Sequence, residues 1–319
     1  MSVALDAYSG SLAGLATSML WTATSLFFTA AGRRIGPTVV NATRIVFAIV
    51  LLGVTHRFLA GHWVPDANAR QIIYLALSGV VGLSIGDQAL FTAFVHIGPR
   101  LAMLVMTTSP LFATLFGWIA LGETLSGRAG IGVLMTLAGV AWVVLERPQG
   151  QTVVTRQNLM RGIALAAVGA ACQAGGLLLS KQGMGHGWLP PDQRLGPQAA
   201  TLTRMVFAGL GMIPIVLIHA RRERKSRRAG LLPGPKGPWP SGVAFACAGA
   251  VVGPFLGVWM SLVAADRAPI GVAQTLCSLS PIFLLPFAAT IHKERISPRA
   301  ILGAVIAVAG SALLFFKPV

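Results

Sequence analysis

Gly36-Pro37, followed by Thr43-Arg44-Ile45-Val46-Phe47-Ala48, returns 160 residues later as Gly196-Pro197 and Thr203-Arg204-Met205-Val206-Phe207-Ala208. Further along, Gly82, Gly86, Ser109, Pro110, Glu123, Arg128, Gly132 and Gly139 return as Gly253, Gly257, Ser280, Pro281, Glu294, Arg299, Gly303 and Gly310, at a constant spacing of 171. The extra 11 residues fall in the longer connection between 219 and 240. Self-similarity over so long a period means one structural unit built twice. The chain divides on this reading into a first repeat over 1–150 and a second over 151–319.

The composition says where such a unit folds. Of 319 residues, 55% are apolar and 11% charged, against roughly a quarter charged in a soluble domain. That leaves too little charge for a water-facing surface. The apolar content also excludes disorder, and the 37 glycines follow no collagen-like period. A helix crosses a ~30 Å hydrocarbon core with about 20 apolar residues. Ten such runs are present: 11–31, 38–58, 71–95, 101–121, 128–146, 161–183, 198–219, 240–265, 270–291 and 299–316. Turn residues separate most of them, as in Gly32–Pro37, His96–Arg100 and Ser297-Pro298, where Ser suits an N-cap and Pro a first helical position. Residues 1–10 lack a basic region and cleavage site, so the first run reads as a retained span.

Five spans per repeat is an odd number, so the second copy enters the membrane from the opposite side. The expected fold is all-α and polytopic: ten transmembrane helices as two inverted five-helix repeats. Inverted repeats are a transporter architecture, with two halves rocking about a site near the bilayer midplane.

Three further runs are Gly86-Asp87-Gln88-Ala89-Leu90-Phe91, Ser109-Pro110-Leu111-Phe112-Ala113-Thr114-Leu115 and Leu121-Gly122-Glu123-Thr124-Leu125-Ser126. With the arginine in the second span of each half, they resemble the EamA-type domain of the drug/metabolite transporter superfamily, over nearly the whole chain. The resemblance implies a ten-helix secondary carrier whose cavity is lined by the first, third and fourth helices of each half. It leaves the substrate open among amino acids, nucleotide sugars, other metabolites and drugs.

Ionisable residues inside a span are costly and default to function. Arg44, Asp87 and Arg204 lie well inside theirs. Arg44 is about 9 Å and Asp87 about 12 Å from connections on the same membrane face, at 1.5 Å per residue. They can therefore pair. Asp87 maps onto Val258, so Arg204 has no equivalent carboxylate. Trp21, Gln88, Gln173 and Trp259 are candidate cavity residues. Thr107 and Ser278 belong to matched clusters, Thr107-Thr108-Ser109-Pro110 and Ser278-Leu279-Ser280-Pro281, in which Pro110 and Pro281 are candidate hinges. Glu123 and Glu294 sit at span ends and read as structural.

No nucleotide-binding G-x-x-x-x-G-K-[ST], H-E-x-x-H or C-x-x-C occurs, so no cofactor or metal is expected. Ser84-Ile85-Gly86-Asp87 resembles a fragment of an intramembrane aspartyl protease signature, without the second aspartate its dyad requires. The expected partners are the lipid bilayer, a small-molecule substrate and, where Asp87 titrates during transport, protons. The basic run Arg221–Arg228 is expected against anionic headgroups rather than nucleic acid.

The net charge of +16 sets orientation. Connections after odd-numbered spans hold 16 Lys and Arg, the other connections and tails 7. The positive-inside rule then puts both termini outside, whereas the family resemblance implies both in the cytoplasm. The expected activity is efflux or exchange of a small, amino-acid-like or other organic metabolite across the inner (plasma) membrane by alternating access. A proton-coupled multidrug exporter is the alternative, resting wholly on Asp87. A membrane enzyme ranks third.

Overall fold

The computed structural model describes residues 2–145, 155–228, 238–280, 282–283 and 298–315. Among these the chain is helical, without strands. Helix α1 (Ser2–Ile35) is followed by α2 (Pro37–Ala60) and α3 (Ala69–Ser78). A π-helical segment, Gly79–Gly86, joins α3 to α4 (Asp87–Met106), and α5 (Ser109–Leu121) and α6 (Gly127–Leu145) complete the first half. The second half holds α7 (Arg156–Gly183), α8 (Pro197–Arg228), α9 (Trp239–Ala250), a second π segment at Val251–Gly257, α10 (Val258–Arg267), α11 (Ile270–Cys277) and α12 (Pro298–Phe315).

Local chemistry places the boundaries. Pro37 opens α2 and Gly61, at φ +80°, closes it. Asn68 and Gln71 form a reciprocal capping box at the start of α3, each side chain accepting the other's backbone N–H at 2.9 Å. Thr155 caps α7, and Gly122, at φ +66°, ends α5.

Among the described residues, six helical stretches are long and apolar enough to span a bilayer: Tyr8–Gly32, Pro37–Ala60, Ala69–Ala93, Arg156–Gly183, Pro197–Lys225 and Trp239–Arg267. Ser109–Leu121, Gly127–Trp142 and Ile301–Leu313 are shorter apolar helices. The run 101–121 is not one helix: it is broken at Thr107-Thr108. The run 270–291 is broken at Ser278-Leu279, and its last eight residues lie outside the described ones. The expected break at His96–Arg100 is also absent from the backbone, since α4 stays helical through it. The chain nonetheless doubles back there. Ile97 packs against Gly162 of α7, while Met106 packs against Gly169, two turns back along the same helix.

The alternation of directions leaves two faces. The upper face carries Gly61–Asn68, Gly122–Ser126, Met184–Gly196 and Ala268-Pro269; the lower face carries Gly36, Gly98–Arg100, Thr155 and Pro238. Side-chain sorting suits lipid rather than water. Val46, Val50, Ile213, Leu217, Val305 and Val308 face outward. Thr17, Ser18, Thr22, Asn41, Arg44, Asp87 and Arg204 are buried among the helices, where polar groups find partners the bilayer cannot offer.

Candidate functional site

Helix α2 carries Arg44 two turns inward from Gly36, and α4 begins with Asp87 as the π segment ends. π turns inside helices concentrate at functional sites, because the extra residue re-aims the side chains that follow. Both side chains are buried, and Arg44 Nη2 and Asp87 Oδ2 form an ion pair. Gln173 Nε2, from α7, donates to the other carboxylate oxygen at 2.6 Å. Arg44 Nε donates to Asn41 Oδ1 at 2.8 Å, and Asn41 Nδ2 in turn reaches Met212 Sδ at 3.4 Å. The Arg44 guanidinium also lies 5.5 Å from the Phe28 ring and 5.3 Å from the Phe91 ring, a cation–π setting that offsets lost hydration.

Arg204 is equally buried, on α8. Its Nη2 fills the gap left by two missing side chains: a Cβ on Gly82 would lie 2.7 Å from it, and one on Gly176 3.2 Å. It is within electrostatic range of Asp87, and its Nε is buried without a hydrogen-bond partner. Two guanidinium groups against one carboxylate leave this cluster with a net positive charge.

The contacts also align α1 with α7, at a spacing of 152. Ser109 Oγ donates to Ala170 O at 3.0 Å, and its repeat equivalent Ser280 Oγ donates to Ser18 O at 3.0 Å. Gly162 meets Ile97, and Gly10 meets Ala268. By the same step Gly176 corresponds to Thr24, which occupies the space at Gly253. The slot that holds Arg204 in one half is thus closed by a threonine in the other, and Arg44 turns to Asp87 instead.

The sequence candidates sort into two equivalent sets. Asp87, Gln88 and Gln173 stand on one side of the pseudo-symmetry, and Val258, Trp259 and Trp21 occupy the matching positions. One set is polar and the other apolar and aromatic. Gln88 Oε1 is buried without a partner. Trp21 is half-buried beside Gly257, and Trp259 stacks near Phe255, ring centroids 6.1 Å apart.

The two helix breaks, at 107–108 and 278–279, are themselves 171 residues apart. Thr107 is buried. Thr108 Oγ1 returns a hydrogen bond to Val105 O at 2.7 Å, and Ser278 Oγ does the same to Gln274 O at 2.8 Å. Pro110 does not kink a continuous helix; it stands in the first turn of a new one. Pro281 lies outside the described residues. Gln274 Nε2 donates to Ser109 Oγ at 3.1 Å, tying the first break to α11.

The structure therefore brings together Arg44, Asp87 and Gln173, sets Arg204 close by, and keeps Trp21 and Trp259 apart from them in chain symmetry. Sequence reasoning missed Asn41, Gln274 and the two aromatic rings. Asn41 carried a readable signal, three residues before Arg44 on the same helix face. Among the described residues no group of three His, Cys, Asp or Glu side chains is placed to hold a metal.

The model of the EamA-like transporter family matches residues 8–145 and 160–316. A solved protein crystal structure is similar with a TM-score of 0.72 at 19% identity, over 96% of this chain and 95% of that one. No curated protein matches the chain.

Proposed function

Since the chain belongs to the EamA-like transporter family, we propose that it is a secondary carrier that moves a small organic metabolite across the inner membrane by alternating access, as efflux or exchange. The observation that carries this reading is the repeated helix break. Two spans, one per half, lose their backbone ladder at equivalent positions. Ser109 and Ser280, just beyond the breaks, bond to equivalent helices of the other half. Such paired interruptions give inverted halves places to bend about a common midplane site. The lower face holds the basic connections and is the cytoplasmic one on this reading.

The substrate is an organic solute with a polar and an apolar end, as an amino-acid-like molecule has. Asp87, Gln88 and Gln173 supply polar groups in one half, and Trp21 and Trp259 supply aromatic walls in the other. The net positive charge beside Asp87 favours a carboxylate-bearing solute over a cation. The carboxylate itself is held by Arg44 and Gln173, which counts against a cationic-drug exporter driven by Asp87 titration. Counterflow in proteoliposomes tests the proposal. Vesicles preloaded with an unlabelled amino acid mixture should accumulate labelled solute several-fold above vesicles carrying the Arg44→Ala/Asp87→Ala protein. No trans-stimulated uptake of any amino or organic acid would reject it.

A further inference from the structure

The upper face contains a second ionic cluster, remote from Asp87. Glu123, just past the end of α5, accepts from Lys181 Nζ through Oε1 at 2.5 Å and from the Ile270 backbone N–H through Oε2 at 2.7 Å. Lys181 Nζ also donates to Ala268 O at 2.7 Å, and its side chain is only 6% exposed. Ile270 opens α11, whose preceding residue, Pro269, offers no side-chain cap. Glu123 thus caps a helix of the other half from outside it, with a charge of the sign that a helix N-terminus favours. The helices below are in close contact: a Cβ on Gly117 would lie 2.5 Å from Ile270 Cγ2, and one on Gly271 2.2 Å from Thr114 Oγ1. Beside this, His186 and Asp266 pair at 2.7 Å within the second half.

The repeat predicts what would have to form the matching closure on the lower face. Glu123 corresponds to Glu294, but Ile270 corresponds to Pro99, which has no N–H to donate. Lys181 corresponds to Thr29, Gly117 to Ala288, and Gly271 to Arg100. Arg100 thus brings a charge to a position whose equivalent, Gly271, lets Thr114 approach closely. At these equivalent positions the sequence repeats neither the ammonium nor the backbone N–H from which Glu123 accepts.

We propose that Glu123 and Lys181 are the latch of the upper gate, and that this difference between equivalent positions makes the empty carrier rest closed above and open below. Both are positioning residues, acting on α5 and α11 rather than on substrate. This rests on the carrier reading, and with the lower face cytoplasmic it means that loading occurs from inside.

The test is spin-label distance measurement on the full chain in lipid nanodiscs, with Cys172, Cys247 and Cys277 replaced by alanine. One label pair sits at Thr124 and Arg267 on the upper face, and the other at their repeat equivalents, Arg295 and His96. Glu123→Gln and Lys181→Met should each add a longer-distance population to the upper pair and a shorter one to the lower pair. The double variant should go no further than either single one. Unchanged distances in both variants overturn the latch. So does an upper pair that lengthens while the lower pair stays fixed, since that is a structural tie without gating. Reciprocal distances without flux of any solute would keep the latch and reject the carrier reading; flux without reciprocal distances would do the opposite.

Discussion

Asp87 has its carboxylate oxygens occupied by Arg44 and Gln173, with Arg204 near, so its loss is first a problem of charge. Removing one member of a buried ion pair leaves the other without compensation and costs about 3–5 kcal/mol. Asp87→Asn should therefore lower the unfolding midpoint in detergent markedly, and Asp87→Asn/Arg44→Met should recover much of the loss. The resulting coupling between positions 44 and 87 should exceed about 1 kcal/mol; additive losses would mean that the pair is not the organising contact. A finer comparison concerns the glycines of the first π segment. A Cβ on Gly79 would lie 2.2 Å from the Arg204 backbone oxygen, whereas on Gly82 it would meet the movable tip of the Arg204 side chain at 2.7 Å. Gly79→Ala should thus destabilise by about 1–3 kcal/mol, as overpacking does, and Gly82→Ala by less. A reversed order would show that α8 yields more easily than its arginine. Depth along two spans made the Arg44–Asp87 pair legible in the sequence. Gln173 was a candidate there, but nothing marked it as the partner of Asp87, because the register of α7 against α4 is fixed only by packing.

At the scale of elements, the breaks at 107–108 and 278–279 show what hydropathy reads well and what it does not. Apolar runs marked where the fourth and ninth spans lie, and the paired prolines marked an irregularity. Whether a proline kinks a helix or begins a new one depends on where the freed carbonyls find donors. Here Pro110 stands in the first turn of a new helix, and Thr108 and Ser278 add a hydroxyl donor to carbonyls that already hold a backbone N–H, Val105 O and Gln274 O. The π segments were illegible for a related reason: Gly79–Gly86 is equally apolar whichever backbone ladder it adopts. Hydroxyl bridges hold the breaks, and they differ in a testable way. Ser109 Oγ serves both Ala170 O and Gln274 Nε2, while Ser280 Oγ donates to Ser18 O and has no second bond among the described residues. A lost buried hydrogen bond costs about 1–3 kcal/mol when its partner stays unsatisfied. Ser109→Ala should therefore destabilise more than Ser280→Ala in matched thermal melts, and equal losses would argue against the Gln274 tie.

For the whole molecule, the inverted repeat appears not only as two similar halves but as a pseudo-two-fold axis with contacts on it. Thr136 Oγ1 approaches Ala307 O at 3.4 Å, and these two residues are themselves 171 apart. Around them α6 and α12 pack backbone to backbone. A Cβ on Gly139 would lie 2.4 Å from Ala307 N and 2.5 Å from Gly303 O, and one on Gly310 would lie 2.5 Å from Thr136 N. In a bilayer, where lipid removes the hydrophobic drive between helices, such small-residue contact is what joins them. Since Gly139 corresponds to Gly310 and Ala307 to Thr136, the two glycines meet the same obstacle from opposite sides. Both obstacles are backbone atoms that cannot step aside without parting the helices. Gly139→Val and Gly310→Val should therefore lower the unfolding midpoint by similar amounts. The double variant should lose less than the sum, because the first substitution already separates the helices the second would strain. Unequal single losses, or strict additivity, would mean that the seam does not move as one unit about the axis, and a rocking of the halves would need its pivot elsewhere.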